Sequence, residues 1–226
     1  MSLKNLGIMI GITILHMNAI DEKPSRNALP PSNRTSLCGV HPLILNRWSP
    51  RAMSGAPISH KELMALFEAA HLAPSSYNGQ FWRFIYAHRD TREWQTLFDL
   101  LVPFNQEWVQ NGAALIVVIS YNKLHEHPAR THSFDTGAAC QNLLLQATSM
   151  GLVTHVMEGF DYDQARKDLE VPEDYTIEAM IAVGHPGSTQ HLSQDLRTME
   201  VPSGRKPLHE LVFQGTFGTS ISPLLP

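Results

Sequence analysis

This sequence predicts a layered fold, with helices packed on both faces of one sheet. Three observations carry that prediction. Residues 114–120, Ala-Leu-Ile-Val-Val-Ile-Ser, form a continuous apolar run of strand length, the pattern of a strand buried on both faces. Three further β runs, residues 82–87, 152–157 and 177–183, are interleaved with helical stretches rather than grouped apart. The 226 residues, 43% hydrophobic and 17% charged, suffice for one sizeable domain with a substantial core.

Residues 1–41 read as an irregular N-terminal arm, and residues 42–226 as a single domain. In the arm, Lys4 precedes an apolar run, residues 6–15, that is too short to span a bilayer. With Ala19 it faintly resembles a signal peptide; a true start at Met17 explains it as well. Pro24, Pro30 and Pro31 among polar residues then break regular structure.

Ser59-His60-Lys61-Glu62 is a capping box, in which the Ser side chain and the Glu three residues on satisfy each other's backbone donors. The helix it opens carries Leu63, Leu66, Phe67 and Ala70 on one stripe and ends before Pro74. The strand at 82–87 follows, then a second helix at 91–101. Asn105-Gln106-Glu107-Trp108 comes after Pro103 and Phe104, ahead of the buried strand.

Beyond that strand lies a loop with His125, His127 and His132. Residues 133–150 form the longest helical pattern, with Ala138, Leu144, Leu145 and Thr148 among its core candidates and Gly151 placed to end it. The strand at 152–157 leads into the turn Glu158-Gly159-Phe160-Asp161. A short helix at 162–169 is stopped by Pro172, and the β run at 177–183 ends at Gly184-His185-Pro186-Gly187. The tail after Ser188 is irregular, apart from Ser203-Gly204-Arg205-Lys206-Pro207 and a short β-like run at 208–213.

Composition narrows the function. A net charge of −4 and an isoelectric point near 6.3, with no dense basic run, give no support for nucleic-acid binding. Two cysteines, Cys38 and Cys140, lie far apart and form neither a CxxC pair nor a disulfide framework, which suits a reducing compartment. Cys140 falls in an apolar helix and reads as a packed thiol rather than a nucleophile. No GxSxG elbow, HExxH, Walker loop or GxGxxG after a strand is present. His125, His127 and His132 are set aside as metal ligands, because twelve histidines make such spacings common.

Two stretches are less ordinary. Arg47, Ser49 and Arg51 alternate around Trp48 and Pro50, so in an extended segment they face one way. Two guanidinium groups and a hydroxyl on one side make a phosphate clamp, or simply a solvated face. Ala73-Pro74-Ser75-Ser76-Tyr77-Asn78-Gly79-Gln80-Phe81-Trp82 sets hydroxyls and amides between a helix and a strand, with no charge. It reads either as a surface turn or as a grip for a neutral, planar, polar-edged ligand.

In their order and spacing, these pieces resemble the FMN-dependent nitroreductase family over roughly residues 44–213. The resemblance rests on Arg-x-Ser-x-Arg, Ala-Pro-Ser-Ser-x-Asn-x-Gln-x-Trp, Asn105 and a helix containing Asp135-x-Gly137-Ala138-Ala139-x-Gln141-Asn142-Leu143. Glu158-Gly159-Phe160-Asp161, Val183-Gly184-His185-Pro186 and Arg205-Lys206-Pro207-Leu208 complete it.

It implies an α+β, three-layer sandwich around a mostly antiparallel sheet, as a homodimer with FMN at the interface and a domain-swapped C-terminal arm. It implies a clamp on the FMN phosphate and ribityl chain from Arg47, Trp48, Ser49 and Arg51, joined by Arg205. Asn105 would meet the pyrimidine edge, and Glu158 and Gly159 would approach N5 and O4. Pro74, Ser75, Ser76, Asn78 and Gln80 would reach the partner's flavin. Two positions depart from the pattern: Phe81 replaces the usual Pro after Gln, and Trp108 stands where some members carry Lys.

The implied activity is a cytoplasmic oxidoreductase that uses NAD(P)H to reduce nitroaromatics or quinones by ping-pong hydride transfer. Flavin N5 carries the chemistry, with no catalytic side chain and no metal. Flavin-dependent dehalogenation, flavin fragmentation and flavin binding without turnover are the alternatives. In the last, Trp108 and Phe81 would crowd the open face of the ring.

Overall fold

The computed structural model describes residues 32–221. The expectations for the apolar run at 6–15 and for Met17 lie outside them. Helix α1, Pro42–Asn46, is the first element among the described residues, with Pro at its first turn, where a missing N–H costs nothing. Helix α2, His60–His71, starts at the expected capping box, with both reciprocal bonds formed. Strand β1, Trp82–His88, is followed by α3, Arg92–Asp99, capped by the Thr91 hydroxyl.

A further helix, α4, Pro103–Val109, contains the Asn105–Trp108 stretch, to which the sequence assigned no element. Then come β2, Ala114–Tyr121, and a two-residue hairpin of β3, Lys123–Leu124, and β4, His127–Pro128. Helix α5, His132–Ser149, is the longest element. Strand β5, Val153–Met157, α6, Tyr162–Asp168, β6, Tyr175–Gly184, and α7, Gln194–Thr198, complete the series.

The main sheet has the order β1-β2-β6-β5, and every pairing is antiparallel. Alternation along β2 divides the core in two. Leu115, Val117 and Ile119 pack with Trp94 and Leu97 of α3, Trp108 of α4, Ala165 of α6 and Leu196 of α7. Ala114, Ile116 and Val118 face the other way, onto Leu63, Leu66 and Ala70 of α2 and Ala139, Leu143 and Ala147 of α5. The three-layer, antiparallel α+β sandwich expected from the sequence is therefore present.

Two expectations are corrected. Residues 208–213 form no strand; Leu208–Glu210 is a single 3-10 turn, and the tail from 202 to 221 is largely exposed. Of the four core candidates on α5 only Leu144 is buried, because the helix turns Ala139, Leu143, Leu144 and Ala147 inward. The apolar residues of this helix are too evenly spread for periodicity to pick out the buried stripe. Gly151 does end α5, with φ of 72° in the left-handed region that favours glycine.

Candidate functional site

The Arg47–Arg51 segment runs between α1 and the core. It is the floor of a cleft of about 310 Å3, lined by Arg34, Arg47, Trp48, Ser49, Arg51, His155, Met199, Val201, Ser203 and Arg205. Trp48 and Pro50 are buried, which turns the alternating Arg47, Ser49 and Arg51 toward the opening. Arg47 reaches the Ser49 hydroxyl at 3.5 Å. Burial, and then the neighbouring Arg34 and Arg205, pull the Arg47 guanidinium below the usual arginine range.

The carboxylate of Glu200 does not neutralise the cleft through a salt bridge. It accepts the backbone N–H groups of Arg51, at 2.8 and 3.0 Å, and of Ala52, at 2.8 Å, and so fixes the segment that carries Arg51. Burial pushes the Glu200 carboxyl up, against the downward pull of those two amides and of Arg51. The buried Nε of Arg51 and Nε1 of Trp48 have no partner among the described residues. Buried donors in that state are unsatisfied until a ligand or water accepts from them.

His155, on β5, closes the inner wall of the cleft, with Nδ1 3.3 Å from the Pro50 carbonyl. Burial first, then Arg51, push it down to about 4, so it is neutral at pH 7. Its ring lies 4.7 Å from that of Trp108.

Trp108 is fully buried, and so is Phe81, at 0% and 1% exposure. Within this chain, then, both rings are packed inside rather than standing at the surface. At the Lys-to-Trp departure, α4 turns residue 108 into the core, against His155 and the sheet.

One turn before Trp108, Asn105 is also buried and donates from Nδ2 to the Gly159 carbonyl at 3.0 Å. The same carbonyl accepts the Val102 N–H at 3.0 Å. The Glu158-Gly159 turn is therefore fastened to the start of α4, while β5 runs from His155 into that turn. Glu158 is exposed.

The 73–82 stretch forms a separate unit. Tyr77, Asn78 and Gln80 all have φ near +50°, at 51°, 55° and 47°, a conformation that non-glycine residues adopt at a cost. The Ser75 hydroxyl accepts the Gln80 N–H at 3.0 Å, and the Gln80 side chain donates to the Asn78 carbonyl at 3.3 Å. Asp135, buried in the first turn of α5, takes the Ser76 N–H at 2.9 Å and the Thr131 hydroxyl at 3.0 Å. Two bonds within the turn and one to Asp135 thus hold the strained residues, and Pro74, Tyr77, Asn78 and Gln80 are left exposed.

Of the residues singled out in the sequence, the structure gathers Arg47, Trp48, Ser49, Arg51 and Arg205 in one cleft, and locks Asn105 to Gly159. Pro74, Ser75, Ser76, Asn78 and Gln80 line no part of that cleft in their own chain. Sequence reasoning missed Arg34, His155, Glu200 and the anchoring role of Asp135. Only Asp135 carried a signal, as the acid that opens the Asp-x-Gly-Ala-Ala helix.

The model of the Nitroreductase family matches residues 44–101 and 91–185. A protein of Archaeoglobus fulgidus, provisionally named NADH dehydrogenase/NAD(P)H nitroreductase, is 31% identical over 148 residues, covering 64% of this chain and 83% of its own. Among solved structures, an oxidoreductase containing FMN is 41% identical with a TM-score of 0.81, covering 85% of this chain and 100% of its own. A provisionally assigned nitroreductase from Desulfovibrio desulfuricans, in complex with FMN, is 26% identical with a TM-score of 0.61, covering 77% and 95%.

Proposed function

The chain belongs to the nitroreductase family, and from that footing we propose an FMN-dependent oxidoreductase that uses NAD(P)H to reduce electron-poor acceptors such as nitroaromatics and quinones, in a ping-pong cycle. The observation that carries the reading is the arginine cleft. Arg47, Arg51 and Arg205 surround a space into which no carboxylate forms a salt bridge among the described residues, and Arg51 Nε and Trp48 Nε1 are buried there without acceptors. That donor set fits a phosphate ester: charge-assisted bonds from guanidinium groups for the dianion, with the Ser49 hydroxyl beside them.

When bound, FMN would supply the two-electron chemistry, taking a hydride from NAD(P)H and giving it to the acceptor. The chain's own part is to bind and orient. Arg47, Ser49, Arg51 and Arg205 hold the phosphate and ribityl end, with Trp48 walling the cleft. Asn105 and the Glu158-Gly159 turn, fastened to each other, serve the ring edge. His155, kept neutral by burial, adds no proton of its own at neutral pH. No side chain is asked to act as acid or base on the hydride.

The site is completed in a homodimer. The turn carrying Pro74, Ser75, Ser76, Asn78 and Gln80 is largely exposed and lines no part of its own cleft, so it serves the partner's flavin. The exposed tail, with Leu208 at 49%, Leu211 at 56% and Phe217 at 94% exposure, is the arm that wraps the second subunit. That much exposed apolar surface on an extended segment needs a cover.

Residues 42–226 act as one domain, with the segment before them as an arm. The free cysteines Cys38 and Cys140 accord with a cytoplasmic setting. Among the described residues no helix is long and apolar enough to cross a membrane.

The test is direct. Purified protein should be yellow or take up FMN stoichiometrically, and should oxidise NAD(P)H when a nitroaromatic or quinone is added. Colourless protein that refuses FMN would sink the reading. Bound FMN reducible by dithionite, with negligible NAD(P)H turnover, would move it to flavin-dependent dehalogenation or fragmentation.

A further inference from the structure

Arg34 lies before the segments that the family model matches, in the arm that the sequence left irregular. Its guanidinium nevertheless lines the cleft. Nη1 donates to the Arg47 carbonyl at 2.8 Å, while Nε and Nη2 donate to the Ser203 carbonyl at 3.3 and 3.1 Å. The same Ser203 carbonyl accepts Arg205 Nη1 at 3.2 Å. One oxygen thus pins two guanidinium groups side by side, and the first of them is bonded to the backbone of a third arginine.

Such an arrangement is unfavourable by itself. Among the described residues, Arg34, Arg47 and Arg205 have no salt bridge to a carboxylate. The acid beside the cleft, Glu200, is engaged by backbone amides. Burial and the charge of Arg205 pull Arg34 below the usual arginine range, as burial, Arg34 and Arg205 do for Arg47. Like charges held this close repel unless an anion lies among them. Three of the five N–H groups of Arg34 are engaged by the two carbonyls, which leaves two for a ligand.

We propose that Arg34 is an anion-positioning residue of the cleft: it fixes Arg47 and Arg205 around a phosphate group and adds its own charge to that site. The proposal takes the identity of the ligand from the FMN reading, but the charge of the ligand from the arginines themselves. It makes the arm and the C-terminal tail, 169 residues apart in sequence at Arg34 and Ser203, two sides of one phosphate site.

FMN and riboflavin separate this role from mere stapling, since riboflavin lacks the phosphate. Arg34→Gln should weaken FMN binding about tenfold and leave riboflavin unchanged. It should also flatten the salt dependence of FMN affinity. Arg34→Lys, which keeps the charge, should retain most of the preference for FMN over riboflavin, and it substitutes as the test if Arg34→Gln does not fold. Unchanged FMN affinity, a parallel loss of both ligands, or a Lys variant as weak as Gln would each overturn the proposal.

If the wild-type protein binds neither flavin, the FMN reading itself fails, and thermal unfolding in inorganic phosphate decides the role of Arg34. A phosphate-dependent rise in melting temperature that disappears in Arg34→Gln supports an anion site of another kind. An equal rise in both proteins, or none in either, overturns it.

Discussion

The Asn105 side chain and the Gly159 carbonyl, 3.0 Å apart, fasten α4 to the turn that leaves β5. The contact also explains why residue 159 is glycine. A Cβ there would lie 2.6 Å from Asn105 Nδ2 and 3.0 Å from the Val102 side chain. Asn105 is buried and held by its bond, so it cannot swing away cheaply.

Gly159→Ala is accordingly expected to cost about 1–3 kcal/mol, the usual range for overpacking a tight site. Asn105→Ala should cost about 1 kcal/mol, because the Gly159 carbonyl keeps its bond from Val102. Urea unfolding measures both. If Gly159→Ala matches wild type, the turn is looser than this contact requires.

His155 gives a pH dependence of defined sign. Its folded-state pKa of about 4 lies below the ordinary histidine value of 6.5. Between those values the unfolded chain binds a proton that the folded chain refuses, so stability is fully present above about pH 6.5 and is lost as pH falls toward 4. The loss attributable to His155 is at most about 3 kcal/mol.

Glu200, pushed up by burial, works the other way, because its protonation is favoured by folding. The informative quantity is therefore the difference between wild type and His155→Gln. Unfolding free energies at pH 7, 5 and 4 should diverge, with wild type falling faster. Parallel curves would contradict a buried neutral imidazole.

The strained 73–82 turn should depend on Asp135. Asp135→Ala removes the acceptor of the Ser76 N–H and of the Thr131 hydroxyl, and is expected to cost about 1–3 kcal/mol. It should also raise amide exchange at residues 75–80 selectively. In the proposed dimer, Ser76→Ala and Asn78→Ala should loosen FMN, and a monomeric variant should lose it. FMN held equally well by a monomer would remove this turn from the site.

Arg47→Ala is expected to weaken FMN binding by about 2–3 kcal/mol, the scale of a lost charge-assisted bond. Isothermal titration or flavin fluorescence quenching reads it. An unchanged affinity would place the phosphate elsewhere.

Much of the fold was legible because it rests on local signals. The capping box at Ser59 and Glu62, the all-apolar β2 and Gly151 at the end of α5 each state their structure within a few residues. The α5 stripe and α4 were less legible. The first lacks contrast between its faces, and the second is a short helix with no side-chain cap on Val102.

By itself the sequence determined the layered sandwich and the nitroreductase likeness, with the alternating Arg47, Ser49 and Arg51 as a candidate clamp. It could do so because periodicity and motif order are properties of neighbours along the chain. Only the tertiary structure decided that Arg34, Glu200 and Ser203 converge on that clamp, that His155 is its inner wall, and that Trp108 belongs to the core. The pairings of Arg34 with Ser203, Glu200 with Arg51 and His155 with Pro50 span 169, 149 and 105 residues, and no local pattern encodes which distant guanidinium, carboxylate or carbonyl will meet. Packing on the two faces of the sheet fixes that, by setting where each strand and tail segment must run.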